Sequence, residues 1–165
     1  MKGLQEVYLK GFGFDKYLMI AAKDELEKLD ELDKNVVISQ ELVEEIKKVN
    51  KKVKVLASVE TWCPFARVFL TTMKKINEIN NIFDLSLVTY GRGVGEMAGY
   101  LKIDEDDFVV PTAVFFAEDF SVGRVFNGFP QKYHDEASFE SIDAKRNYLK
   151  GKNADDIVRD VLKAI

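Results

Sequence analysis

The chain has 165 residues, 47% of them hydrophobic, with a formal charge of −4; this suits one compact domain with its own core and leaves two full domains cramped. Charges of both signs are mixed along it, so the weakly acidic balance argues against a phosphate-driven nucleic-acid partner. No apolar run approaches the roughly 20 residues that cross a bilayer, one cysteine excludes an intramolecular disulfide, and one histidine excludes a His-rich metal cage.

Met1-Lys2-Gly3 leads into no signal-type apolar core, so a cytoplasmic location is the expectation. Phe14, Leu18, Ala22, Leu26, Leu29 and Leu32 are spaced three or four apart among acids and lysines, which predicts one amphipathic helix. Ser39 reads as the N-cap of a second helix through Leu42, Val43, Ile46 and Val49, with Glu41 placed favourably for the helix dipole. Val53 to Val59 is short, β-branched and largely apolar, as in a strand buried on both faces. It exits through Glu60-Thr61-Trp62-Cys63.

Pro64 fits the first turn of a helix whose apolar face is Phe65, Val68, Phe69, Thr72, Met73 and Ile76, and which stops at Asn80-Asn81. Phe83 to Tyr90 reads as a second strand, Gly91 to Gly95 as a turn, and Glu96 to Lys102 as a short helix before an acidic loop. After Val110-Pro111, the runs Thr112–Ala117 and Val122–Phe126 flank a four-residue connection, a hairpin signal. One helix through Phe139, Ile142, Arg146 and Leu149 follows, and another capped by Asn153 runs through Ile157, Val158, Val161 and Leu162, with Gly151 between them. A right-handed crossover makes the first two strands parallel, and the hairpin makes the last two antiparallel. The expected fold class is therefore α/β: a mixed four-stranded sheet with helices on both faces. Without repeats or linkers, residues 1–165 read as a single domain: a helical extension over 1–50, a core over 51–150 and a terminal helix over 151–165.

A thiol at the first turn of a helix faces unpaired N–H groups and the positive end of the helix dipole, both of which favour the thiolate. Cys63 is accordingly a candidate nucleophile, with Trp62 as a flat apolar shelf for a partner and Pro64 holding the turn rigid. The competing reading is a small buried hydrophobe.

Trp62-Cys63-Pro64-Phe65-Ala66 after a buried strand, with Val110-Pro111-Thr112 opening a later one, resembles thioredoxin, and the likeness runs from Val53 to Phe129. The helical extension, the Gly91-Arg92-Gly93 turn and the proline-led hairpin look like a subgroup of bacterial thioredoxin-like proteins. The resemblance implies a thioredoxin-like fold and a cis Pro111 lying against the active site. It also marks two departures. Ala66 stands where thioredoxins carry the second, resolving cysteine, and Ala57 where they keep a buried aspartate that assists proton transfer. Cys-Pro-Phe-Ala also resembles monothiol glutaredoxin relatives and omega-class glutathione transferases, whose glutathione-binding Val-Pro would match Val110-Pro111. Glu60-Thr61-Trp62 departs from the basic approach of glutaredoxins, and no Gly-Gly follows the hairpin.

A dithiol reductase attacks a disulfide with one thiolate and is released when its second thiol attacks the mixed disulfide. This chain can perform the first half alone. Turnover then needs an external thiol, with glutathione as the natural co-substrate and no bound cofactor; otherwise a mixed disulfide or a sulfenic acid at Cys63 is the end state of a redox sensor. Two function classes follow. In one, Cys63 performs monothiol disulfide exchange on a protein disulfide or glutathione mixed disulfide, with Trp62, Pro64, Phe65, Val110 and Pro111 as the docking surface. In the other, the fold is a non-catalytic module whose groove holds a peptide or partner protein by backbone pairing. Monomer and homodimer are both open, as is a Cys63–Cys63 disulfide if the thiol is exposed.

Weaker signals have plainer readings beside them. Gly93-Val94-Gly95-Glu96-Met97-Ala98 spells a dinucleotide fingerprint, yet a strand and three helices precede it where such a unit normally begins the domain, so a glycine-rich turn with positive φ is the simpler account. Arg92 offers a guanidinium to an anionic group such as a glutathione carboxylate, or is simply solvated. Asp104 to Asp107 lack the spacing of a calcium loop. His134, Asp135 and Glu136 are most simply acidic capping at a helix start, and Phe115, Phe116, Phe126 and Phe129 are core.

Overall fold

The computed structural model describes residues 2–135 and 139–165. Four strands, β1 (Val53–Ser58), β2 (Phe83–Val88), β3 (Thr112–Phe116) and β4 (Val122–Asn127), form one sheet in the order β2-β1-β3-β4. β1 runs parallel to β2, β3 antiparallel to β1, and β4 antiparallel to β3. This is the mixed sheet expected from the crossover and the hairpin.

Strand alternation sends Val53, Val55, Ala57, Leu87, Phe115 and Phe126 to one face, where they pack with α4 (Gln40–Lys48), α5 (Pro64–Ile79) and α10 (Ala154–Leu162). Leu56, Val88, Val114 and Phe116 point the other way and are covered by Leu4 and Val7 of α1 (Lys2–Leu9) and by Met97 and Ala98 around α6 (Tyr90–Glu96) and α7 (Ala98–Leu101). Helices therefore cover both faces. α5 is the most enclosed of them: Ala66 to Met73 are all buried, because α3 (Lys23–Asn35), α4 and α10 pack around its outer side. Asn80, its C-cap, donates to the carbonyls of Ile46 and Val49 and so ties the end of α5 to the end of α4.

The N-terminal segment departs from the single helix expected over Phe14–Leu32. It is split into α2 (Phe14–Leu18) and α3, with a turn at Met19–Ala22. Nothing in Met19-Ile20-Ala21-Ala22 is a helix breaker. The break is tertiary: α2 packs against β2 and buries Tyr17, whereas α3 lays Leu29 and Leu32 inward alongside α5, and one straight helix cannot do both. Asp24 and Glu25 favour a new start there, and the Glu25 carboxylate accepts from Ala22 N at 2.8 Å. Helix α1 was not anticipated at all.

Gly91 to Gly95 is not a turn but the body of α6, and none of its glycines has positive φ. Gly93 is required for a different reason, close approach: a Cβ there would stand 2.2 Å from Ser58 Oγ and 2.7 Å from Phe108 Cε1. Arg92 is not simply solvated; Nε meets Glu96 Oε2 at 2.6 Å and Nη1 donates to Lys10 O. Asp104 to Asp107 are exposed around a short 3-10 turn. His134 and Asp135 end α8 (Gln131–Asp135) rather than capping a helix start, and His134 stacks on Phe129 at 4.2 Å; Glu136 lies outside the described residues. Phe115, Phe116 and Phe126 are buried, and Phe129 is half-buried. The next helix, α9 (Ile142–Leu149), begins after Phe139 and leaves Ile142 exposed. Ser39 and Asn153 hold N-cap positions without a side-chain capping bond.

Candidate functional site

The site forms where β1 ends. Parallel pairing carries β1 to Ser58, and Val59 N still donates to Val88 O before the chain leaves the sheet. Residues 60–63 then turn back over the sheet end into α5, with Cys63 N donating to Glu60 O at 3.1 Å. Cys63 is the N-cap of α5: its backbone is extended, its carbonyl accepts from Arg67 N at 3.0 Å, and Pro64 follows at the first helical position, where a missing N–H costs nothing.

The thiol itself does not cap the helix. Sγ lies 3.5 Å from the carbonyl oxygen of Val110 and donates to it, in place of the contact with free helix N–H groups that a first-turn position suggested. Val110–Pro111 is a cis peptide bond. Fold therefore brings together two segments 47 residues apart: the turn that carries the thiol and the entry to β3. Cys63 is buried, at 8% exposure, while Trp62 beside it is 60% exposed.

The remaining residues singled out from the sequence divide between surface and scaffold. Pro64 is exposed and Val110 half-buried at the site, and Pro111 is buried. Phe65 turns into an aromatic cluster, its ring centroid 5.9 Å from Phe129 and 6.1 Å from Tyr148, so it supports the site more than it faces a partner. Ala66 and Ala57 are fully buried in the apolar core.

Four anchors that the sequence reading missed hold the thiol turn. Arg67 is buried, and its Nη1 donates to Thr61 O at 3.1 Å and Trp62 O at 2.9 Å. The signal was its spacing: four residues after Cys63 on the same helix face, with side chains of a helix leaning toward its N-terminus, a long cation reaches back over the cap. Tyr17 donates its hydroxyl to Val59 O at 2.6 Å; burial, reinforced by the negative charges of Glu60 and Glu25, pushes its phenol above the usual range. Thr61 Oγ1 donates to Glu25 Oε2 at 2.8 Å, and Glu60 Oε1 accepts from Tyr90 N at 2.8 Å. No sequence pattern links Tyr17, Glu25 and Tyr90 to this turn; only packing does.

Among the described residues no three His, Cys, Asp or Glu side chains converge as a metal would require, and no helix is long and apolar enough to cross a membrane.

A family model described as thioredoxin matches residues 11–145. Two solved structures share the fold over 97% of this chain and 95% of theirs, each at 18% identity. One is a protein of unknown function from Pseudomonas aeruginosa, with a TM-score of 0.86, and the other an HIV epitope scaffold, with a TM-score of 0.87. No curated protein matches the chain.

Proposed function

The chain belongs to the thioredoxin family, and on that premise we propose that it is a monothiol member working by thiol–disulfide exchange at Cys63 in a reducing cytoplasm. One observation carries the reading: the single thiol stands at the start of α5, 3.5 Å from the Val110 carbonyl and next to an exposed Trp62.

The Cys63 thiol loses its proton to solvent, and the thiolate attacks one sulfur of a disulfide R–S–S–R′. A Cys63–S–S–R bond forms as the R–S–S–R′ bond breaks and R′–S⁻ departs. With Ala66 in place of a second thiol, resolution falls to an external one. A glutathione thiolate attacks the R sulfur, forms the R–S–S–glutathione disulfide and releases Cys63 as thiolate. If no external thiol arrives, the mixed disulfide persists and reports oxidation. Trp62 and Pro64 supply apolar docking area, and Val110 adds a backbone edge. Arg67, Tyr17 and Glu25 act through the turn, as positioning residues.

Alanine at 66 and 57, in place of a second thiol and a proton-transfer carboxylate, favours a second reading, in which the same surface binds a peptide without chemistry. Intact-mass spectrometry after incubation with oxidised glutathione separates the two. Folded protein gains one glutathionyl group that reduced glutathione removes, and Cys63→Ser gains none. A folded chain that forms no adduct while the denatured chain does would rule out exchange and leave the binding module.

A further inference from the structure

We propose that a groove at the carboxyl end of β2 binds a single-chain amphipathic carboxylate, a medium-chain fatty acid in its simplest form. The groove has a volume of about 270 Å³. Its apolar walls are Phe12, Tyr17, Met19, Ile20 and Val88. Its charged lining residues are Lys16 and Arg92, both positive. Mostly apolar walls with a few placed polar groups, at the carboxyl end of parallel strands, are the usual setting of a small-molecule site.

The helix break between α2 and α3 creates it. Met19 is 82% exposed, Ile20 65% and Phe12 43%, so three large apolar side chains within nine positions face water around one concavity. Arg92 is already engaged by Glu96 and by Lys10 O. Lys16 is exposed, has its ammonium 5.3 Å from the Phe12 ring and forms no ion pair among the described residues, which leaves it open to a carboxylate.

Two other occupants fit less well. An extended peptide needs a free main-chain edge, and here Phe12 N donates to Leu87 O while Leu87 N donates to Phe12 O. A second copy related by a two-fold axis would bring Lys16 and Arg92 toward their own equivalents, like charge against like. A monomeric carboxylate satisfies both the walls and the cation.

The test is calorimetric titration of the whole chain with octanoate, decanoate and 1-decanol, each below its aggregation limit. Saturable one-to-one binding is expected, tightening by roughly threefold to fourfold for each added methylene. Lys16→Gln weakens decanoate by about threefold and leaves 1-decanol unchanged. Ile20→Asp, at a position 65% exposed, weakens both by about tenfold or more. The proposal is overturned by absence of saturable binding, by equal affinity for Ile20→Asp, or by equal response of decanoate and 1-decanol to Lys16→Gln. Binding to lipid vesicles without binding of monomeric decanoate, or a dimer in light scattering that Ile20→Asp dissociates, overturns it equally. None of these readouts depends on Cys63.

Discussion

Arg67 is the residue on which the geometry of the thiol turn depends most. A buried guanidinium that donates to two successive main-chain carbonyls fixes the peptide planes just before Cys63, and charge-assisted bonds of this kind are the stronger class. Arg67→Met removes both donors while keeping an apolar stem. We expect a loss of about 2 kcal/mol in stability and faster alkylation of Cys63 by iodoacetamide under native conditions, as the turn loosens and more sulfur is exposed. Arg67→Lys, with a donor of shorter reach, should fall between the two. An unchanged alkylation rate in Arg67→Met would show that Tyr17 and Glu25 hold the turn without it.

At the scale of elements, α6 shows why a glycine-rich run need not be a turn. Glycine costs a helix about 1 kcal/mol relative to alanine, yet here it lets the helix backbone lie directly on β1. Thr89 caps the helix through Arg92 N, and the Arg92–Glu96 pair spans one turn of it. Gly93→Ala, favourable in an isolated helix, should instead destabilise the protein by roughly 1–3 kcal/mol, because the new methyl meets Ser58 and Phe108. Urea denaturation measures it, and Gly95→Ala, where an added Cβ meets nothing within 4 Å, is the internal control that should be neutral or stabilising.

Across the whole molecule, helix α1 and the segment after it cover the sheet. Leu4 and Val7 close the second face of the sheet over Leu56, Val114 and Phe116, and the bridge between Phe12 and Leu87 occupies the outer edge of β2. Removing residues 1–13 would uncover an apolar face and an unpaired strand edge together, the two features that promote self-association. The truncated chain should associate in a concentration-dependent way in light scattering and melt at lower temperature than the full chain. A monomeric truncation of unchanged stability would mean that the extension contributes little to the fold.

What the amino-acid sequence determined by itself was whatever depends on near neighbours. Strand alternation, the helical spacing from Phe65 to Ile76, the stop at Asn80 and the four-residue hairpin connection are local, and together they fixed a mixed sheet with helices on both faces. The position of Cys63 before Pro64 at a strand-to-helix junction was legible for the same reason. Contacts between distant segments were not legible. The break at Met19–Ala22 follows from where Tyr17 and Leu29 must be buried, the helical state of Gly91–Gly95 from close packing on β1, and the orientation of Sγ from the approach of Val110. Only tertiary structure decided these, because each is settled by which surfaces the chain buries together, and that quantity has no period or spacing in the sequence.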